Sequence, residues 1–210
     1  MRTCTPGSGS ISRISTARTR PLGPTRSAAI WLQPPGAAPR MPPGRGNPPF
    51  GKVPAIEDQG TAMSESGAIL EYVLERYGNG RLVPRRDSAL WAPFLQWVHF
   101  ADSTAFAGLG NIAWHTQFKQ DAEKVPEAIS DYRVWAEAAL DLLESVLVGR
   151  DFILGAEFSG ADIMLGYTLL VAKSFGVLSS AAHPKADAYL DRLTARPALR
   201  KALQAGLAAA

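Results

Sequence analysis

Apolar residues recur at helical spacing through most of the chain after residue 64. Ile69, Leu70, Val73, Leu74 and Tyr77 form one face and predict a first helix. Ser64 is its expected N-cap, Glu65 falls in the positively polarised first turn, and Gly78 is its expected stop. Leu90, Trp91, Phe94, Leu95 and Val98 predict a longer helix capped by Asp87 or Ser88. Pro93 is tolerated there because it falls in the first turns, and Gly108 with Gly110 is expected to bend or end the helix. Residues 132–148 predict an amphipathic helix with Trp135, Leu142, Leu143, Val146 and Leu147 inward and Gly149 closing it. Residues 160–175 are apolar on nearly every side (Ile163, Met164, Leu165, Tyr167, Leu169, Leu170, Val171), the pattern of a helix at the centre of a bundle. Two short helices are expected over 185–194 and 197–204.

Ahead of the first helix, residues 52–57 and 61–63 read as short strands joined by the turn Asp58-Gln59-Gly60. The first 46 residues differ in kind. Eight of the sixteen prolines and seven arginines lie there, and no strand or helix period persists. Such a segment buries too little apolar surface to offset its chain entropy, so 1–46 is read as a disordered Arg/Pro-rich tail. The fold class is therefore α/β plus all-α, divided at 1–46, 47–83 and 84–210.

Charge follows the same division. The tail has no acid, which leaves 15 Lys and Arg against 19 acids in the remainder, a net of −4. The basic character of the whole chain thus belongs to the tail alone. A single cysteine, Cys4, excludes an internal disulfide framework and fits a reducing cytoplasmic setting. His99, His115 and His183 lack metal-ligand spacing, so no metal is expected. No apolar run is long enough to span a membrane.

Three short motifs carry candidate chemistry. Val53-Pro54 places a proline in a strand. It is either an edge-strand proline or a cis peptide that turns Val53 outward to pair with an extended ligand. Glu65-Ser66 opens a helix, where free N–H groups and the dipole favour an anion. The pair suits an α-amino acid head group, though it is also ordinary helix-start composition. Ser159-Gly160-Ala161-Asp162 has the S-x-x-D form of a capping box, with Phe158 placed to staple onto Ile163. It is a structural device with no catalytic role.

In their order and spacing, VPAIED, SESGAILEYVLERYG and FSGADIMLGYTLL resemble the cytosolic glutathione S-transferases, the bacterial members above all. The resemblance runs from Asn47 to about Leu203. It implies a thioredoxin-like N-terminal domain, partial here, followed by an all-helical C-terminal domain. It implies that glutathione is the co-substrate, with no metal or nucleotide. It implies that Val53 pairs with its cysteinyl backbone beside a cis Pro54, that Glu65 and Ser66 hold its γ-glutamyl end, and that Lys52 lies near its glycyl carboxylate. It further implies a small electrophile as acceptor, with Phe106, Trp114 and His115 as candidate lining, and a homodimer.

Family members place strand, helix and strand before this point, and a Tyr, Ser or Cys there activates the glutathione sulfur. No such pattern is legible in residues 1–46, so that stretch is expected to be missing or out of frame, and no catalytic residue is assigned. Two readings follow: a glutathione transferase, impaired if that half-domain is absent, or a non-catalytic binding or regulatory module on the same fold. Nucleic-acid binding by the tail is disfavoured, since Trp31 is its only aromatic residue.

Overall fold

The computed structural model describes residues 13–14, 54–119, 123 and 125–208. Lys52 and Val53 lie outside the described residues. A hairpin of β2 (Ala55–Asp58) and β3 (Thr61–Ser64) turns at Gln59-Gly60, both at positive φ. Ala55 lies opposite Ser64 and Asp58 opposite Thr61. A two-residue strand, β1 (Arg13–Ile14), pairs antiparallel with the other edge of β2, giving the sheet order β1-β2-β3. No strand is expected in that segment from sequence. Two residues are too few for a period, and the open edge of β2 supplies the reason to pair. The rest of 1–46 lies outside the described residues.

Helix α1 (Ser66–Tyr77) follows β3 directly. Its N-cap is Glu65, not Ser64, and no side chain caps it. Ser64 ends β3 and its hydroxyl is buried without a hydrogen-bond partner among the described residues.

The second long helical stretch is α2 (Trp91–His99), a π-helical segment (Phe100–Ala105), α3 (Phe106–Ala113) and a second π-helical segment (Trp114–Phe118). Gly108 and Gly110 do not end it. A Cβ on Gly108 would meet the Tyr132 carbonyl at 2.7 Å, so this glycine permits close packing against α4 (Pro126–Val146). The same closeness corrects the inward face of α4. It buries Ala136, Ala139, Leu140 and Leu143, while Trp135 and Leu142 point outward, at 61% and 44% exposure. Small side chains face the glycine because bulky ones do not fit.

Helix α5 (Gly160–Ser174) runs through the bundle centre between α2 and α6 (Pro184–Thr194), with α7 (Pro197–Ala208) after it. The capping box forms. Buried Asp162 does more than cap. Its Oδ2 accepts from the Ser159 backbone N–H (2.7 Å) and hydroxyl (2.8 Å), and its Oδ1 accepts from the Ile153 N–H (2.8 Å) and the Tyr189 hydroxyl (2.6 Å). Phe158 packs edge-on against Phe152, with the Arg196 guanidinium 3.6 Å over its ring. Its expected partner Ile163 stays exposed.

Replacing Asp162 with Ala strands four buried donors. We expect a loss of about 3 kcal/mol or more of unfolding free energy in urea. A loss below about 1 kcal/mol would show that the network is not a principal support of the bundle.

Candidate functional site

The hairpin register sets the site. Because Ala55 faces Ser64, Pro54 and Glu65 lie at the same end of the hairpin, directly at the start of α1. The structure thus brings Pro54, Glu65 and Ser66 together. Glu65 holds φ 78 and ψ 116, a conformation that L residues rarely adopt, and its side chain is exposed. The first N–H groups of α1 have no intrahelical acceptor and point out of the helix end, where the dipole favours an anion.

A residue that sequence reasoning missed stands across from them. Asp102 lies in the first π-helical segment, and its Oδ2 is 3.2 Å from where a Cβ on Gly67 would sit. Gly67 is therefore small for a reason: a larger residue would press on this carboxylate. Burial raises the Asp102 carboxyl above the ordinary carboxylate value. His99 and the Ser103 and Asp102 backbone N–H groups oppose the rise, and the charge of Glu65 adds to it. His99 also pairs with Glu71 at 3.4 Å, tying α2 to α1. One signal was available in sequence, since Asp102 is the only acidic residue between 91 and 118.

Glu65 and Asp102 are thus two acids at the start of a helix whose first N–H groups lack intrahelical acceptors.

Beyond Asp102 the helical stretch carries aromatic side chains. Phe106 stacks on Tyr167 of α5, with ring centroids 5.8 Å apart and planes 27° apart. Trp114 lies two turns further along the same helical stretch. His115 is buried, with its ring against Tyr132 of α4, and packs the second π-helical segment on that helix.

On the opposite side, buried Asp58 fixes the hairpin to α1. It accepts from the Tyr72 hydroxyl (2.6 Å) and the Tyr77 hydroxyl, and Arg76 Nε lies 3.3 Å away. These hydrogen bonds from Tyr72 and Tyr77 hold its carboxyl below the usual value. A cleft of about 480 Å³ lies elsewhere, between residues 80–84 and 154–159, and includes none of these groups. No three His, Cys, Asp or Glu side chains among the described residues are arranged to hold a metal ion. No helix among them is long and apolar enough to cross a membrane.

The chain matches two family models: the glutathione S-transferase N-terminal domain over residues 33–81 and the C-terminal domain over residues 126–205. The first begins upstream of Asn47, where the resemblance becomes legible by eye. A glutathione S-transferase-like protein of Aspergillus fumigatus, tpcF, is 30% identical over 171 residues, covering 74% of this chain and 75% of that protein. The solved glutathione transferase URE2P6 of Phanerochaete chrysosporium, in complex with oxidised glutathione, is 28% identical with a TM-score of 0.69. That match covers 77% of this chain and 76% of that one. A glutathione transferase of Burkholderia graminis, with two glutathione molecules bound per subunit, is 27% identical with a TM-score of 0.65. It covers 74% of this chain and 68% of that one.

Asp58 generates a pH prediction. A carboxyl whose folded pKa is depressed contributes stability that is present above its unfolded pKa and lost as pH falls through the folded value. Stability should therefore decline as pH drops below about 4, the ordinary aspartate value. Asp58→Asn should lower stability at neutral pH and flatten that decline in pH-dependent urea unfolding. An unchanged acid limb in the variant would assign the decline to other carboxylates.

Proposed function

The chain belongs to the glutathione S-transferase family, and from that premise we propose that it binds glutathione at the start of α1 and conjugates its thiolate to an electrophilic small molecule. The observation that carries the proposal is the convergence of Glu65, Ser66 and Asp102 at one helix end. The α-carboxylate of the γ-glutamyl group accepts from the Ser66 hydroxyl and the first-turn N–H groups. Its ammonium faces Glu65 and Asp102. Pro54, at the same hairpin end, follows Val53, the residue proposed to pair with the cysteinyl backbone, and Lys52 is proposed near the glycyl carboxylate.

In the reaction the thiolate sulfur forms a bond to an electrophilic carbon. The leaving group departs with its bonding pair, and the thiol proton passes to solvent. The chain's own part is to hold glutathione, orient its sulfur toward the acceptor and exclude water. Phe106 and Trp114 are proposed as lining of the acceptor side, with His115 as buried support behind it. A cytoplasmic homodimer is part of the proposal. The outward Val134, Trp135 and Leu142 of α4 offer apolar surface for it.

Titration calorimetry with glutathione tests the reading. Ser66→Ala and Glu65→Ala should each weaken binding about tenfold, the size of one charge-assisted hydrogen bond. Asp102 adds a pH signature. Burial raises its carboxyl above the ordinary aspartate value, so its share of the affinity should be lost on acidification earlier than an ordinary aspartate's would be. Asp102→Asn should remove that early limb. Binding at full strength in Ser66→Ala and Glu65→Ala would move the site elsewhere. Binding without turnover of any electrophile would favour the non-catalytic module.

A further inference from the structure

The turn that joins α1 to the helical domain contains the dipeptide Asn79-Gly80. Both residues are exposed and both hold positive φ, 49° for Asn79 and 75° for Gly80. Hydrogen bonds anchor the turn on either side of the pair. The Gly78 N–H donates to the Leu74 carbonyl at 3.0 Å, and the Arg81 N–H donates to the Gly78 carbonyl at 2.9 Å. Between them, the Gly80 N–H and the Asn79 side chain have no hydrogen-bond partner among the described residues. A Cβ on Gly80 would meet nothing within 4 Å, and Gly80 borders the cleft of about 480 Å³ between residues 80–84 and 154–159. The Gly80 nitrogen thus has both solvent and room to move, and glycine leaves the backbone free to swing.

A side-chain amide carbon and the next residue's free backbone nitrogen are the two ends of a five-membered ring. The other asparagines cannot close it. Asn111 lies inside α3, where backbone N–H groups are committed to the helix and its own Nδ2 donates to the Ala107 carbonyl at 2.9 Å. Asn47 precedes Pro48, which has no N–H. The position of Asn79 matters because of Leu82. Leu82 also holds positive φ, 64°, where a branched side chain is strained. Its carbonyl accepts from the Gly160 N–H at 2.7 Å, which joins this turn to the start of α5.

We propose that Asn79 is a site of spontaneous deamidation by its own backbone, and that the product with a lengthened main chain loosens the Leu82–Gly160 junction between the two domains. The Gly80 nitrogen gives its proton to solvent and bonds to Asn79 Cγ. The Cγ–Nδ2 bond breaks, and Nδ2 takes up a proton and leaves as ammonia. Water then opens the imide. Opening at Cγ restores the main chain and leaves aspartate at 79. Opening at the backbone carbonyl routes the chain through Cβ and Cγ as isoaspartate, which adds one methylene to the turn. Both products gain a carboxylate, but only isoaspartate changes the chain length between Gly78 and Leu82. The glutathione site proposed above is not needed for this chemistry.

The full chain is incubated at mildly alkaline pH in ordinary and in heavy-oxygen water, then digested and mapped. Asn79 should convert to aspartate and isoaspartate, each carrying one oxygen from the water, while Asn111 keeps its amide. Asn79→Gly, which keeps the positive φ, should release no ammonia from this turn. Amide exchange followed by NMR then reads the junction. The Gly160 amide should exchange about fivefold faster in the isoaspartate form, the size of one weakened hydrogen bond, whereas Asn79→Asp should stay within about twofold of wild type. An Asn79 that stays intact while a free peptide of the same turn converts overturns the proposal. So does conversion that leaves Gly160 protection unchanged. An Asn79→Asp variant that loosens Gly160 as much as isoaspartate does also overturns it, because charge and not chain length would then be the cause.

Discussion

The buried carboxylate of Asp162 is the constraint on which the remaining geometry depends. Four donors from three places converge on its two oxygens: the α5 start, the loop residue Ile153 and Tyr189 of α6. Burying a charge without such partners is strongly unfavourable, so the carboxylate fixes all three places or the core does not close. The consequence reaches the other domain through Gly160. Its N–H donates to the Leu82 carbonyl at 2.7 Å. A Cβ on it would meet Leu74 Cδ1 at 2.6 Å and Leu70 Cδ2 at 3.3 Å. Placing the start of α5 therefore places α1, and with it Glu65 and Ser66 at its far end.

That far end combines two kinds of polarity in one small space. In the proposed site the helix dipole and first-turn N–H groups attract a carboxylate, and Glu65 with Asp102 attracts an ammonium. The π-helical segment around Asp102 matters here because its wider turn is where the helical domain presents a carboxylate to α1. One turn further the surface changes from charged to aromatic. A ligand with a zwitterionic head and an apolar acceptor beside it fits that sequence of surfaces, and glutathione with an electrophile is such a pair. The proposed site and the family membership name the same ligand.

Much of this was legible before the structure. The hairpin, α1, the central α5 and the capping box each have a local signal, either a period, a turn or a fixed spacing. Glu65 and Ser66 were singled out by residue type and position, and they stand at the start of α1. What escaped was non-local. Asp102 and Tyr167 matter because of what stands opposite them, and no period records that. The inward face expected for α4 holds at Leu143 and Leu147 and fails at Trp135 and Leu142, because bulky apolar residues were given more weight than alanines. The close packing against Gly108 falls on Ala136. The cap of α1 was shifted by one residue because Glu65 takes a positive φ that composition does not announce.

The central claim is that the γ-glutamyl end of glutathione docks on the first turn of α1. Backbone amide NMR of the full chain during a glutathione titration tests it most directly. The account predicts that the largest saturable shifts fall on the amides of Ser66, Gly67 and Ala68, with Asp102 among the next. Shifts concentrated elsewhere, or none at millimolar glutathione, the weak end of specific binding, would contradict it.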